Sequence, residues 1–157
     1  MYRRVMNART LLVSTAIVLG MMASGAVHSF DEGAGVTIDY RQGLMRALGG
    51  NMAATAAIVV DGAPFRDQLS THTRYIADAT RDIPALFPED SDFGETDALP
   101  SVWEDVERFA ELSRENHDAA VALHEAVEQG DDAAIMAGFR SLGESCRSCH
   151  EDFRRRE

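Results

Sequence analysis

A chain of 157 residues with a formal charge of −11 has the length of one domain with a real core. That acidity excludes nucleic acid as a partner and predicts a surface that stays soluble and steers positively charged molecules.

The first stretch reads as an address rather than as structure. Arg3, Arg4 and Arg9 make a positive start, Leu11 to Met22 is an apolar run of 12 residues, and Ala23-Ser24-Gly25-Ala26 supplies small residues for cleavage. Residues 1–26 are therefore expected to be a secretory signal peptide and residues 27–157 the mature domain. The apolar run falls short of the roughly 20 residues that cross a bilayer as a helix, so no membrane span is expected in the mature chain. Its expected place is the periplasm.

Four helical segments follow, with no strand signal. The first is expected from about Thr37 to Val60, where Tyr40, Leu44, Leu48, Met52, Thr55 and Val59 recur at spacings of three and four. Gly43, Gly49 and Gly50 weaken a helix interior by up to about 1 kcal/mol each, which calls for a packing reason such as a flat macrocycle or a partner helix close by. Asp61-Gly62-Ala63-Pro64 should end this segment.

The second helix is expected from about Phe65 to Leu86, with Phe65, Leu69, His72, Ile76, Ala79 and Ile83 forming a bundle seam that Pro84 ends or kinks. His72 on that seam is either a hydrogen-bonded core histidine or a distal ligand. Phe87 to Leu99 reads as an exposed crossover loop whose five acids are solvated.

A third helix is expected from Ser101 to about Gln129, opened by a capping box of Ser101 and Glu104. Val102, Val106, Phe109, Leu112, Ala120, Leu123 and Val127 mark its buried side, interrupted by polar residues around Asn116. His117 and His124 fall on a polar segment and are expected to be exposed. Trp103, the only tryptophan, either packs on a cofactor edge or fills the end of the bundle.

Gly130-Asp131 breaks the chain again, and the last helix is expected to run to about Arg155. Its inward face, Ile135, Phe139, Leu142, Cys146, Cys149, His150 and Phe153, carries the chemistry. Cys146-Arg147-Ser148-Cys149-His150 has the C-x-x-C-H spacing of covalent c-type haem attachment. Two thiols three apart on a helix reach the two vinyl groups on one edge of a porphyrin, and the following imidazole offers the iron a proximal ligand. A thioredoxin-like pair would need a βαβ surrounding near a helix start, a structural zinc site would need four ligands, and a disulfide across three residues would close too small a loop to stabilise much. Arg154, Arg155 and Arg156 complement the negative end of this helix and make a local basic patch.

Four antiparallel helices with short turns and one crossover make an all-α, up-down four-helix bundle with a haem in its core. A C-terminal haem motif on such a bundle resembles the class II cytochromes c, the family of the cytochromes c′. Tyr40-Arg41-Gln42-Gly43-Leu44-Met45 resembles the family's first-helix motif, Trp103 falls where the family often has a tryptophan, and Arg154 follows the histidine by four residues as it does there.

The resemblance implies one covalently attached haem c per chain. It implies that Cys146 and Cys149 link it, that His150 binds iron, that Arg41 and Gln42 lie near a propionate, and that Met45 faces the distal side. With Met45 as sixth ligand, the protein would be a one-electron carrier serving a redox partner protein. With a five-coordinate iron, it would take nitric oxide or carbon monoxide. The first reading is the expectation. No catalytic constellation stands out, so an enzyme is not expected. A homodimer through the first two helices is the assembly that the resemblance implies.

Overall fold

The structure, a computed structural model, describes residues 28–156, so the expected signal peptide lies outside the described residues. The elements are α1 (His28–Val59), α2 (Leu69–Ala79), a short α3 (Ser101–Glu104), α4 (Val106–Gln129) and α5 (Asp132–Phe153). Among the described residues there is no strand, only one isolated antiparallel bridge between Ala98 and Arg154. The expected all-α four-helix bundle is thus what the chain forms, with α1, α2, α4 and α5 as its helices.

Local chemistry sets the ends. α4 stops at Gly130, whose left-handed φ of 71° lets its N–H turn back to Ala126 and Val127. The next residue, Asp131, accepts from the N–H groups of Ala133 and Ala134 and opens α5. That tight corner lays α4 against α5 along their length. At Gly138 the contact is so close that a Cβ would lie 3.2 Å from the Leu123 backbone. Leu123 and Leu142 in this interface are both fully buried, each contributing about 1.5–3 kcal/mol of transfer free energy.

α2 packs on α1 and on α4, whereas α1 scarcely touches α5. The core accordingly splits in two. One cluster holds Ile58, Leu69, Ile76, Ala120, Leu123, Ile135 and Leu142, with Cys146 at its margin. The other, at the end of the bundle where α5 finishes, holds Ile83, Val102, Phe109, Leu112 and Phe153, with Met45, Phe87, Trp103 and Cys149 packed on it.

Several expected details differ. α1 starts at His28, and its expected stripe meets the core at Leu48, Met52, Thr55 and Val59 but not at its start, where Tyr40 is 63% exposed while Ile38 and Arg41 are buried. α2 is half the expected length. Phe65 stays exposed, and the helix ends before Thr80, whose hydroxyl donates back to the Ile76 and Ala77 carbonyls, four residues ahead of Pro84. The third helix is broken at Asp105, which takes a non-helical conformation and caps α4 by accepting from Arg108 N. Ser101 makes no cap; its hydroxyl donates to the Asp152 carbonyl at 2.9 Å instead.

His117 and His124 are half-buried rather than exposed, because each points across to α2 and finds a threonine hydroxyl. His117 Nδ1 lies 3.3 Å from Thr80 Oγ1 and His124 Nδ1 lies 3.0 Å from Thr73 Oγ1. Both hydroxyls already donate to helix carbonyls, so the imidazole N–H is the donor in each pair.

Candidate haem site

Cys146, Cys149 and His150 occupy the last two turns of α5, with both thiols free and half-buried. Burial pushes the Cys146 thiol up, opposed in part by the Asn116 amide that bonds its sulfur. Cys149 is pushed up to about 11, mainly by burial and further by Cys146 and Asp152. His150 moves the other way: desolvation first, then the Arg154 charge, lowers its pKa and favours the neutral imidazole that a metal needs. Its ring meets solvent at an open depression of about 410 Å³ shared with Arg147, Glu151, Arg154, Arg155 and Arg156.

Met45 comes from α1, on the opposite side of the loose α1–α5 seam. It is half-buried against the apolar cluster that also receives Cys149. Rings line that cluster in edge-to-face contact: Trp103 on Phe87 at 6.0 Å, Phe87 on Phe109 at 5.1 Å, and Phe109 on Phe153 at 5.0 Å between centroids.

Arg41, one turn before Met45, is only 2% exposed. Its guanidinium donates to Ser91 Oγ at 2.8 Å, to the Ser91 carbonyl at 2.9 Å and to Thr96 Oγ1 at 2.6 Å. It also lies 4.6 Å from the centre of the Phe87 ring and 5.6 Å from that of Trp103. Desolvation lowers its pKa, and among the described residues no carboxylate forms an ion pair with it. Gln42 Nε2 adds a 2.6 Å bond to the Glu95 carbonyl. Arg41 and Gln42 thus hold the crossover loop against α1, an arrangement that the spacing in α1 alone could not disclose.

Trp103 serves the same loop, its Nε1 donating to the Phe87 and Pro88 carbonyls at 3.2 and 3.0 Å. Arg154 ends α5, its N–H reaching the His150 carbonyl, and pairs with Ala98 in the isolated bridge. Neighbouring bonds from Leu99 N to the Phe153 carbonyl and from Arg155 N to the Asp97 carbonyl tie the chain end to the crossover. The loop acids Glu89, Asp90, Asp92, Glu95 and Asp97 are exposed, as expected.

His72 lies apart from this cluster. Asn51 donates its Nδ2 to the Ala47 carbonyl, leaving Oδ1 to accept from His72 Nδ1 at 2.9 Å. This is the hydrogen-bonded core histidine of the two readings offered for it. The residue that sequence reasoning missed is Asn116, buried between α4 and α5; the interruption it makes in the apolar stripe of α4 was the available signal.

These residues fit a haem. Two free thiols sit one turn apart beside a neutral-prone imidazole, facing rings and aliphatic side chains, next to the α1–α5 pair, which is not in close contact. A family model described as Cytochrome C′ matches residues 36–154. The chain belongs to the cytochrome c′ family. The cytochrome c′ of Rhodospirillum rubrum is 29% identical to it over 153 residues, 97% of this chain and 98% of that one. The cytochrome c′ of Pararhodospirillum photometricum is 34% identical over 118 residues, 74% of this chain and 94% of that one. Among solved structures, a cytochrome c′ with an unusual ligand-controlled dimer dissociation superposes with a TM-score of 0.73 at 26% identity, covering 78% of this chain and 97% of that one. As a cytochrome c′ family protein, the chain carries covalently attached haem c.

Proposed function

We propose that the protein is a periplasmic haem protein that binds a small neutral ligand, nitric oxide or carbon monoxide, on the distal side of a five-coordinate iron. Cys146 and Cys149 hold the haem, and His150 is the single protein ligand to its iron. When bound, the haem supplies a redox-active iron with a position for such a ligand. The observation that carries this reading is the family match over residues 36–154, and it shifts the balance away from the His150/Met45 electron carrier that the sequence favoured.

The residues of the chain support it. Met45, half-buried, packs against the cluster of Ile83, Val102, Phe109, Leu112 and Phe153 as an apolar contact. Such a lining disfavours charged ligands and water, since a buried charge without a partner is costly. Arg41 and Gln42 keep the crossover loop in place, with the Arg41 guanidinium over the Phe87 and Trp103 rings; Arg41 and Gln42 are the residues we assign to the propionate side, with Trp103 at the edge. Arg154 sets the charge beside His150.

Among the described residues no helix is long and apolar enough to cross a membrane; the cleaved signal proposed at residues 1–26 rests on its sequence alone. The similar structure with ligand-controlled dimer dissociation supports a homodimer; for its surface we take α1 and α2, where Val36 and Tyr40 are exposed on α1.

Absorption spectra of the oxidised and dithionite-reduced protein, with and without carbon monoxide, test the proposal. A broad reduced band that sharpens and shifts with the gas is expected. Sharp, split reduced bands that ignore carbon monoxide would return the function to electron transfer with Met45 as sixth ligand, and Met45→Ala would then convert that spectrum to a high-spin one.

A further inference from the structure

Asn116 is 5% exposed and lies where α4 packs on α5. A relay of hydrogen bonds fixes which way its amide points. Ser145 donates its hydroxyl hydrogen to the Leu142 carbonyl at 2.8 Å, so its oxygen faces Asn116 as an acceptor, 2.9 Å from Nδ2. The NH₂ end of the amide is thereby turned toward α5, and the same nitrogen stands 3.3 Å from Cys146 Sγ. One hydrogen goes to Ser145 and the other to the sulfur. Cys149 differs: it packs on the apolar cluster of Ile83, Val102, Phe109, Leu112 and Phe153. The two sulfurs of one motif therefore meet unlike surroundings.

Sulfur is the acceptor in this contact, and it keeps its lone pairs as a thioether. In haem attachment the S–H adds across a vinyl double bond: sulfur bonds one vinyl carbon, the hydrogen goes to the other, and no net electron is exchanged. The Asn116 contact needs no thiol hydrogen, so attachment leaves the donor in place.

We propose that Asn116 is a positioning residue for haem c, its amide anchoring and polarising the Cys146 thioether so that α4 helps set the reduction potential of a haem hung from α5. The assignment rests on the haem-attachment reading of Cys146. A hydrogen-bond donor against the sulfur draws electron density from the edge of the macrocycle, stabilises the reduced state and raises the potential, as hydrogen bonds around a metal centre generally do.

The test is redox titration of the holoprotein carrying Asn116→Ala or Asn116→Leu, with Leu123→Ala as a control that loosens the same helix pair without removing a donor. Both Asn116 variants should show a midpoint shifted to more negative potential, and Leu123→Ala should melt at lower temperature with its midpoint unmoved. An Asn116→Ala protein that melts lower yet keeps the wild-type midpoint overturns the proposal and leaves Asn116 as an interhelical tie. Leucine is bulkier than asparagine and can fail to accumulate, in which case Asn116→Ala, which only deletes the amide, decides. Extraction of the wild-type protein with acidified acetone separates the two layers of the argument. Haem lost to the solvent refutes attachment itself, whereas haem retained with an unmoved midpoint refutes only the role of Asn116.

Discussion

Arg41→Met isolates what a buried cation does in this fold. The substitution keeps an unbranched apolar stem of similar reach and deletes the guanidinium. Three hydrogen bonds disappear, to Ser91 Oγ, the Ser91 carbonyl and Thr96 Oγ1, together with the stacking on Phe87 and Trp103. Bonds from a charged donor are worth about 1.5–3 kcal/mol each, which sets a gross loss of roughly 5–9 kcal/mol. Against that stands the cost of burying a guanidinium that no carboxylate among the described residues neutralises, several kcal/mol that the variant no longer bears. The net expected loss is about 2–4 kcal/mol, or a fall in Tm on the order of 10 °C for a domain of this size. The damage should be local. Residues 91–96 keep only the Gln42 bond to Glu95 as their hydrogen bond to α1, so limited proteolysis should cut first within the crossover loop, at a rate well above that of the wild type. A variant that melts within about 2 °C of the wild type and resists proteolysis there would refute the reasoning, because the loop would then be held well enough by Gln42, Trp103 and the bonds to the end of α5.

Leu142→Ala, at a fully buried site between α4 and α5, should cost about 2–5 kcal/mol, read from chemical denaturation. Replacing Cys146 and Cys149 together by alanine should make the haem extractable by acidified acetone, checked by the absorbance left on the protein; covalent haem surviving both changes would sink the attachment reading. Ser70→Ala should raise the pKa of Glu128, followed by NMR titration of its carboxyl. The Ser70 hydroxyl donates to that carboxylate and is the leading cause of its lowered pKa, followed in the same direction by the His124 and Arg74 charges. A folded-state value below the unfolded one adds stability above the unfolded pKa that is lost as pH falls through the folded pKa, so this acid-side dependence should weaken in the variant.

The sequence disclosed the helices where apolar spacing and strong punctuation coincided. Gly130-Asp131 placed the α4–α5 corner correctly because both residues act through their own backbone or nearest amides. Only the start of the α1 face departs from its spacing, Tyr40 lying outward, because the inward register there is held by Arg41, a residue type that periodicity counts as outward. Its burial depends on Ser91 and Thr96, some 50 residues away in the chain. His117 and His124 were misread for the same reason, their partners being threonines of another helix. The break at Asp105 escaped notice because Ser101 and Glu104 had the spacing of a capping box, while the hydroxyl of Ser101 had a better acceptor at Asp152. The attachment motif was legible because its chemistry lies within five consecutive residues. Asn116, which completes the surroundings of Cys146, was not, because its role exists only once α4 lies on α5.

These particulars support the α1–α5 seam as the place we propose for the haem. A short corner with residues such as Gly138 and Ala120 draws α4 and α5 into close contact, and α2, with its threonine-histidine pairs, bridges α1 to α4. The remaining pair, α1 and α5, has no such connection: α1 is held instead through Arg41 and Gln42 to the crossover loop, and that loop is tied to the end of α5 by the bonds at residues 97–99 and 153–155. The seam is therefore spanned at its rim by a loop rather than closed along its length by side chains. A flat group attached to Cys146 and Cys149 can enter such a seam without separating a packed helix pair, and the aromatic and aliphatic cluster beneath the loop supplies its lining. Loss of the loop anchor should consequently loosen the proposed haem site more than loss of an equal stabilisation from the α4–α5 core.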